Sequence, residues 1–152
     1  MVNRSLIIFF IFCLFCNAGY SSELLREEAF NHYNEGLRQQ VAGDFKNALT
    51  NYQRALIIDK NSLCRKFILN NTGLMYIEQG KAQEAELAFK DALALDTNYD
   101  TAAFNLSLLY LKMAKHYKET GDEKMASDYF EKAFAYYSDK TFIVEGEKQY
   151  SE

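Results

Sequence analysis

Three groups of side chains have types and spacings that could carry chemistry. Cys13 and Cys16, in CLFC, have the separation of a dithiol redox pair. His32 and His116 are the two imidazoles of the chain, each able in principle to move a proton or hold a metal near neutral pH. Asn34, Asn71 and Asn105 recur 37 and 34 residues apart, and each amide offers an acceptor and two donors of the kind a peptide main chain can meet.

The first two groups do not assemble a site. CLFC lies within Leu6–Cys16, eleven apolar residues in a row that follow Arg4 and precede the small pair Ala18 and Gly19. A charged start, a short apolar core and small residues after it are the parts of a secretory leader, expected over residues 1–19 with cleavage after Ala18 or Gly19. Eleven apolar residues fall short of the roughly 18–20 a membrane-spanning helix needs. The leader predicts an exported chain, periplasmic or secreted. An uncleaved segment, or a lipid on Cys16 in spite of the bulky Phe15 before it, would instead hold the chain at a membrane. Without residues 1–18, Cys64 is the one cysteine left; it has no intramolecular partner and is expected to be buried.

The histidines have no ligand or acid at metal or catalytic spacing. Neither a phosphate-cradling glycine loop nor a nucleophile elbow occurs. Glu27, Glu28, Glu84 and Glu86 fit solvated helix faces. No catalytic, cofactor or metal site is expected. A formal net charge of -4 without a Lys/Arg-rich run argues against nucleic acid as a partner.

The asparagines remain, and the elements that must position them are helices. Proline is absent and glycine numbers 7, so long helices meet few breakers. Aligned on their glycines, three stretches coincide: GDFKNALTNYQRALIIDKN (43–61), GKAQEAELAFKDALALDTN (80–98) and GDEKMASDYFEKAFAYYSD (121–139). Each is a turn glycine followed by an amphipathic helix in which Ala48, Ala85 and Ala126 share a register with Tyr52, Phe89 and Phe130, and with Ala55, Ala92 and Ala133. Small residues let two helices approach, and the neighbouring aromatic ring fills the space left by oblique crossing. A second glycine, Gly36 or Gly73, stands seven residues before Gly43 and Gly80; Ser107 takes that place in the third stretch.

This pattern resembles the tetratricopeptide repeat, a helix-turn-helix unit of about 34 residues. The resemblance rests on Gly36, Gly43, Ala48, Tyr52 and Ala55, on Gly73, Tyr76, Gly80, Ala85, Phe89 and Ala92, and on Tyr110, Gly121, Ala126, Phe130 and Ala133. It implies an all-α, right-handed superhelix of three units at about 29–62, 66–99 and 100–138, within a repeat domain of 23–138 and followed by a tail of 139–152. The proline that usually ends a unit is replaced by Lys60 and Thr97. Seven additional residues separate Ser107 from Gly121, almost two helical turns, so the first helix of the third unit is expected to lengthen without rotating its buried face and to project beyond the stack.

In this family the first helices line a concave face that binds partners. The resemblance therefore implies a groove in which Asn34, Asn71 and Asn105 form a ladder of amides flanked by Tyr33, Leu37, Phe67, Leu74, Phe104 and Leu108. Such a groove suits an extended or helical peptide with apolar side chains. Tyr33 and Leu37 stand where basic residues clamp a terminal carboxylate in some members, so that specificity is not expected. At the other end, Phe134 and Tyr137 lie on a last helix that nothing obvious caps, unless Phe142, Ile143 and Val144 fold back onto it; a second copy could dock there. Two sequons, at Asn70 and Asn105, fall beside the groove, where a glycan would obstruct it. The expected protein is a non-catalytic exported adaptor that binds a protein or peptide partner in bacterial envelope assembly. The alternative is a structural protein that self-assembles through its C-terminal end.

Overall fold

The computed structural model describes the backbone of residues 4–58 and 64–136, with side chains from Ser22 onward. Among these residues the chain is entirely helical. Six helices follow one another: α1 (Arg4–Val41), α2 (Phe45–Ile58), α3 (Arg65–Glu78), α4 (Ala82–Leu95), α5 (Asp100–Glu119) and α6 (Glu123–Tyr136). They divide into two compact bodies, residues 1–68 and 69–152.

Three tight turns join α1 to α2, α3 to α4 and α5 to α6 by one device. Gly43, Gly80 and Gly121 have φ of 77°, 72° and 83°, the left-handed conformation that glycine enters without steric cost. Each glycine N–H donates to the carbonyl three residues back, and the next residue's N–H donates to the carbonyl five residues back, as in Asp122 N to Tyr117 O. This Schellman pairing satisfies the carbonyls that the helix end leaves open. At two of the three turns an aspartate then caps the next helix: Asp44 accepts from the Asn47 N–H and Asp122 from the Met125 N–H, at 3.3 and 3.0 Å. Lys81 holds the third such position and makes no side-chain cap bond.

In the first body α1 packs on α2. Side chains from Ser22 to Glu28 are exposed and packing begins at Ala29, the expected start of the first unit, although α1 itself runs without a break across the expected leader boundary. Gly36 is required by contact: a Cβ there would lie 2.6 Å from the Tyr52 ring. Ala48, Tyr52 and Ala55 are fully buried against it. His32 Nδ1 hydrogen-bonds Asn51 Oδ1 at 2.8 Å, and Asn51 in turn donates to Gln39, so this imidazole ties α1 to α2. Cys64 is half-buried rather than buried; it precedes α3 and its backbone carbonyl accepts the Phe67 and Ile68 N–H groups.

In the second body Ala85, Phe89, Leu106, Leu109, Tyr110 and Ala133 form one core, joined by α4 packing on α5 and α5 on α6. Gly73 repeats the role of Gly36, a Cβ there falling 2.5 Å from the Phe89 ring. α5 is 20 residues long against 14 for α3 and for α6, the lengthening expected from the spacing. Its additional turns are held to α6 by Tyr117, which stacks on Tyr129 at 5.4 Å and 5°, with Lys132 Nζ 4.3 Å from the Tyr129 ring centre.

Candidate protein-interaction site

The expected ladder and its flanking residues fall in both bodies. In the first, Asn34 and Leu37 are half-buried on α1, Tyr33 has its ring 6.0 Å from Tyr52, and Phe67 is exposed in the first turn of α3. In the second body α3 and α5 carry Asn71, Leu74, Phe104, Asn105 and Leu108. Leu74 is half-buried against the core, Phe104 is half-buried, and Leu108 is 37% exposed.

The two amides of the second body are connected through a residue that the repeat pattern does not single out. Asn105 Nδ2 donates to Asn70 Oδ1 at 2.8 Å, and Asn70 Nδ2 reaches Asn71 Oδ1 at a longer 3.4 Å. Asn70 is 3% exposed and is the buried centre of this chain. Its engagement orients the outer two amides. Asn71 accepts through its oxygen and Asn105 donates through its nitrogen, and among the described residues the Asn71 Nδ2 donors and the Asn105 Oδ1 acceptor take no protein partner. One donor and one acceptor, half-exposed and fixed by a buried third amide, match what one peptide unit presents. The one sequence signal for Asn70 was the sequon it begins, which says nothing of burial.

A second polar cluster was missed because its acid was placed on a solvated face. Glu86 is half-buried on α4, where its Oε1 accepts from the Tyr110 hydroxyl of α5 at 2.8 Å and from Lys90 one turn on. Burial pushes the Glu86 carboxyl up, but the hydrogen bonds from Lys90 and Tyr110 outweigh it and hold the group below its ordinary value. Burial and then the Glu86 hydrogen bond push the Tyr110 phenol up. Every member has its partner inside the stack, so the cluster locks α4 to α5 and presents no reactive group.

His116 is exposed, edge-on to Tyr117 at 5.7 Å. It lines a cleft of about 430 Å³ between the α3–α4 turn and the lengthened part of α5, together with Ile77, Ala82, Leu109, Lys112 and Met113. The glycine spacing indicated the length of α5 and not the cleft beside it. Among the described residues no group of three or more His, Cys, Asp or Glu side chains could hold a metal, and no helix is long and apolar enough to cross a membrane. Phe134 is 43% exposed on α6, whereas Tyr137 and the tail lie outside the described residues. The same holds for the side chains of residues 1–21, where the leader was expected.

Comparison with known proteins agrees with this architecture. Tetratricopeptide-repeat profiles match residues 37–98 and 107–140. The chain is similar to the photosystem I assembly protein Ycf3 of Synechococcus sp. strain CC9605, 32% identical over 107 residues, covering 70% of this chain and 62% of that protein. Ycf3 of Synechococcus elongatus is 30% identical over 112 residues, covering 74% and 65%. The chain thus spans less than two thirds of the length of these relatives. Among solved structures, MamA superposes with a TM-score of 0.54 at 20% identity, over 75% of this chain and 61% of that one. The second tetratricopeptide domain of Spaghetti (RPAP3), bound to an HSP90 peptide, gives 0.54 at 19% identity, over 77% and 99%. The helix pairs, their glycine turns and two profile matches that together cover more than half of the sequence place this chain in the tetratricopeptide-repeat family.

Proposed function

We propose that this protein is a non-catalytic assembly adaptor that holds an extended segment of a partner protein against the α3–α5 face. The observation that carries the reading is the Asn105–Asn70–Asn71 chain, because it fixes one amide donor and one amide acceptor at a half-exposed surface. Preformed groups of this kind lower the ordering cost of a bound peptide. Leu74, Phe104 and Leu108 supply the apolar contacts of this face, and Asn34, Tyr33, Leu37 and Phe67 are further contact residues of the first body, taken by itself. The relatives are named for assembly of photosystem I, which supports an assembly role and leaves envelope assembly as this proposal's own choice of pathway. Residues 1–19 act as the export signal in the same reading, and mass spectrometry of the mature N-terminus tests that part directly.

The test of the adaptor reading is crosslinking in the native host with wild-type protein beside an Asn71→Ala/Asn105→Ala variant shown to be folded by circular dichroism. Loss of a defined crosslinked partner supports the face; unchanged capture sinks it. A second reading, self-assembly through α6, is favoured by the exposure of Phe134. A mass that rises with concentration, and falls back to monomer in Phe134→Asp, would establish it; a monomer at the highest concentration reached would remove it.

A further inference from the structure

The cleft beside the lengthened α5 specifies part of the partner's chemistry. Asn105, Leu108, Lys112 and His116 are spaced by three or four residues and so form one stripe along α5. The stripe leads from the amide pair directly into the cleft. Ile77, Ala82, Leu109 and Met113 give the cleft an apolar interior, while Lys112 and His116 stand exposed at its edge. Among the described residues no carboxylate lines it.

Its volume of about 430 Å³ is within the range of sites that hold small ligands or a bulky side chain. The local charge runs against that of the whole protein. The formal net charge of the chain is -4, yet the charged side chain that lines the cleft is Lys112, beside His116, while Lys115 of the same segment is paired with Glu119 at 3.9 Å. The Tyr117–Tyr129 stack fixes the wall on the α5 side, so the cleft exists before a ligand arrives.

We propose that this cleft takes a bulky apolar side chain and a neighbouring carboxylate from the same partner segment that the amides hold. From Asn105 to Lys112 is seven residues of α-helix, about 10 Å at 1.5 Å per residue. An extended peptide covers that distance in about three residues. The partner therefore carries an apolar–acidic pair about three residues beyond the peptide unit bound at Asn71 and Asn105. This inference rests on the adaptor reading above.

The experiment is fluorescence polarisation with the whole protein and two labelled synthetic peptides, Ser-Gly-Ser-Gly-Phe-Glu-Gly and its counterpart with Gln for Glu. The Glu peptide is expected to bind about tenfold more tightly than the Gln peptide. Lys112→Glu, a change at an exposed position, is expected to abolish or reverse that preference. Asn71→Ala/Asn105→Ala should weaken both peptides by the same factor. Equal binding of the two peptides by wild type, or no saturable binding of either, overturns the cleft inference. A preference that depends on Lys112 but not on the asparagines upholds the cleft and defeats the adaptor face. A preference that survives Lys112→Glu overturns the cleft inference, and the adaptor face is then judged by the asparagine variant alone. If Phe142→Ser/Ile143→Ser in the full chain raises affinity tenfold, the occupant is the chain's own tail and the proposal falls.

Discussion

The α3–α4 pair and the α5–α6 pair are built on one pattern and solve it differently. In the first, Gly73 lets the Phe89 ring close onto the helix backbone, and Phe89 is completely buried. In the second, Ser107 occupies the glycine's place, is itself buried, and Phe130 is only half-buried. At the glycine positions a Cβ would meet the ring, and where Ser107 carries one the corresponding ring is less buried. What α5–α6 gives up in aromatic packing it recovers with tyrosines: Tyr110 contacts Tyr129 and Tyr136, each at 5.9 Å, and Tyr117 stacks on Tyr129. The lesson is that one glycine decides whether a repeat is closed by a single ring or by a cluster.

Cutting back the two rings should break the comparison most strongly. Phe89→Ala is expected to cost about 3–5 kcal/mol in urea unfolding, the range for a fully buried aromatic ring, and Phe130→Ala roughly half of that. Equal losses would mean that Phe130 is packed as tightly as Phe89. Gly73→Ala places a methyl in the ring and should lose about 1–3 kcal/mol in spite of its better helix propensity. Ser107→Ala, where a Cβ is already present, should change stability by less than about 1 kcal/mol.

Tyr110→Phe removes one hydrogen bond to Glu86 and should cost about 1 kcal/mol, again read from unfolding midpoints. The carboxyl itself predicts a pH dependence. Because Glu86 is held below the ordinary 4.5 in the folded protein, its contribution is present above that pH and is lost as pH falls through the lower folded value. Glu86→Gln should accordingly flatten the acid limb of the stability curve below about pH 4.5. The smallest expected effect concerns the turns. Lys81→Asp would give α4 the cap that α2 and α6 already have, a gain of about 0.5–1 kcal/mol and a small rise in melting temperature. No rise would show that the Lys81 ammonium near the Tyr76 ring contributes as much as a cap.

Repetition made most of the fold legible before any coordinates. The turn glycines, the alanine–aromatic register and the longer α5 each recur, or depart from recurrence, at positions that can be counted. What occurs once was invisible to that reading. Asn70 aligns with Tyr33 and Phe104, and Glu86 with Leu49 and Ser127, so neither belongs to a pattern. Their burial is set by neighbours on other helices. The cleft was hidden for a related reason: counting residues gives the length of α5, but the concavity depends on where the α3–α4 turn stops beside it.

The seven residues added to α5 have a consequence for how such a protein can change. Seven residues is nearly two full turns, so the helix gains length with a residual rotation of only about 20°. The buried stripe from Ala102 to Tyr110 keeps its neighbours, and the new turns answer chiefly to α6 through Tyr117. Their outward positions are released from the demands of stacking. Substitutions there can alter what the protein recognises while the repeats continue to fold as before, which makes the extension a place where specificity and stability vary separately.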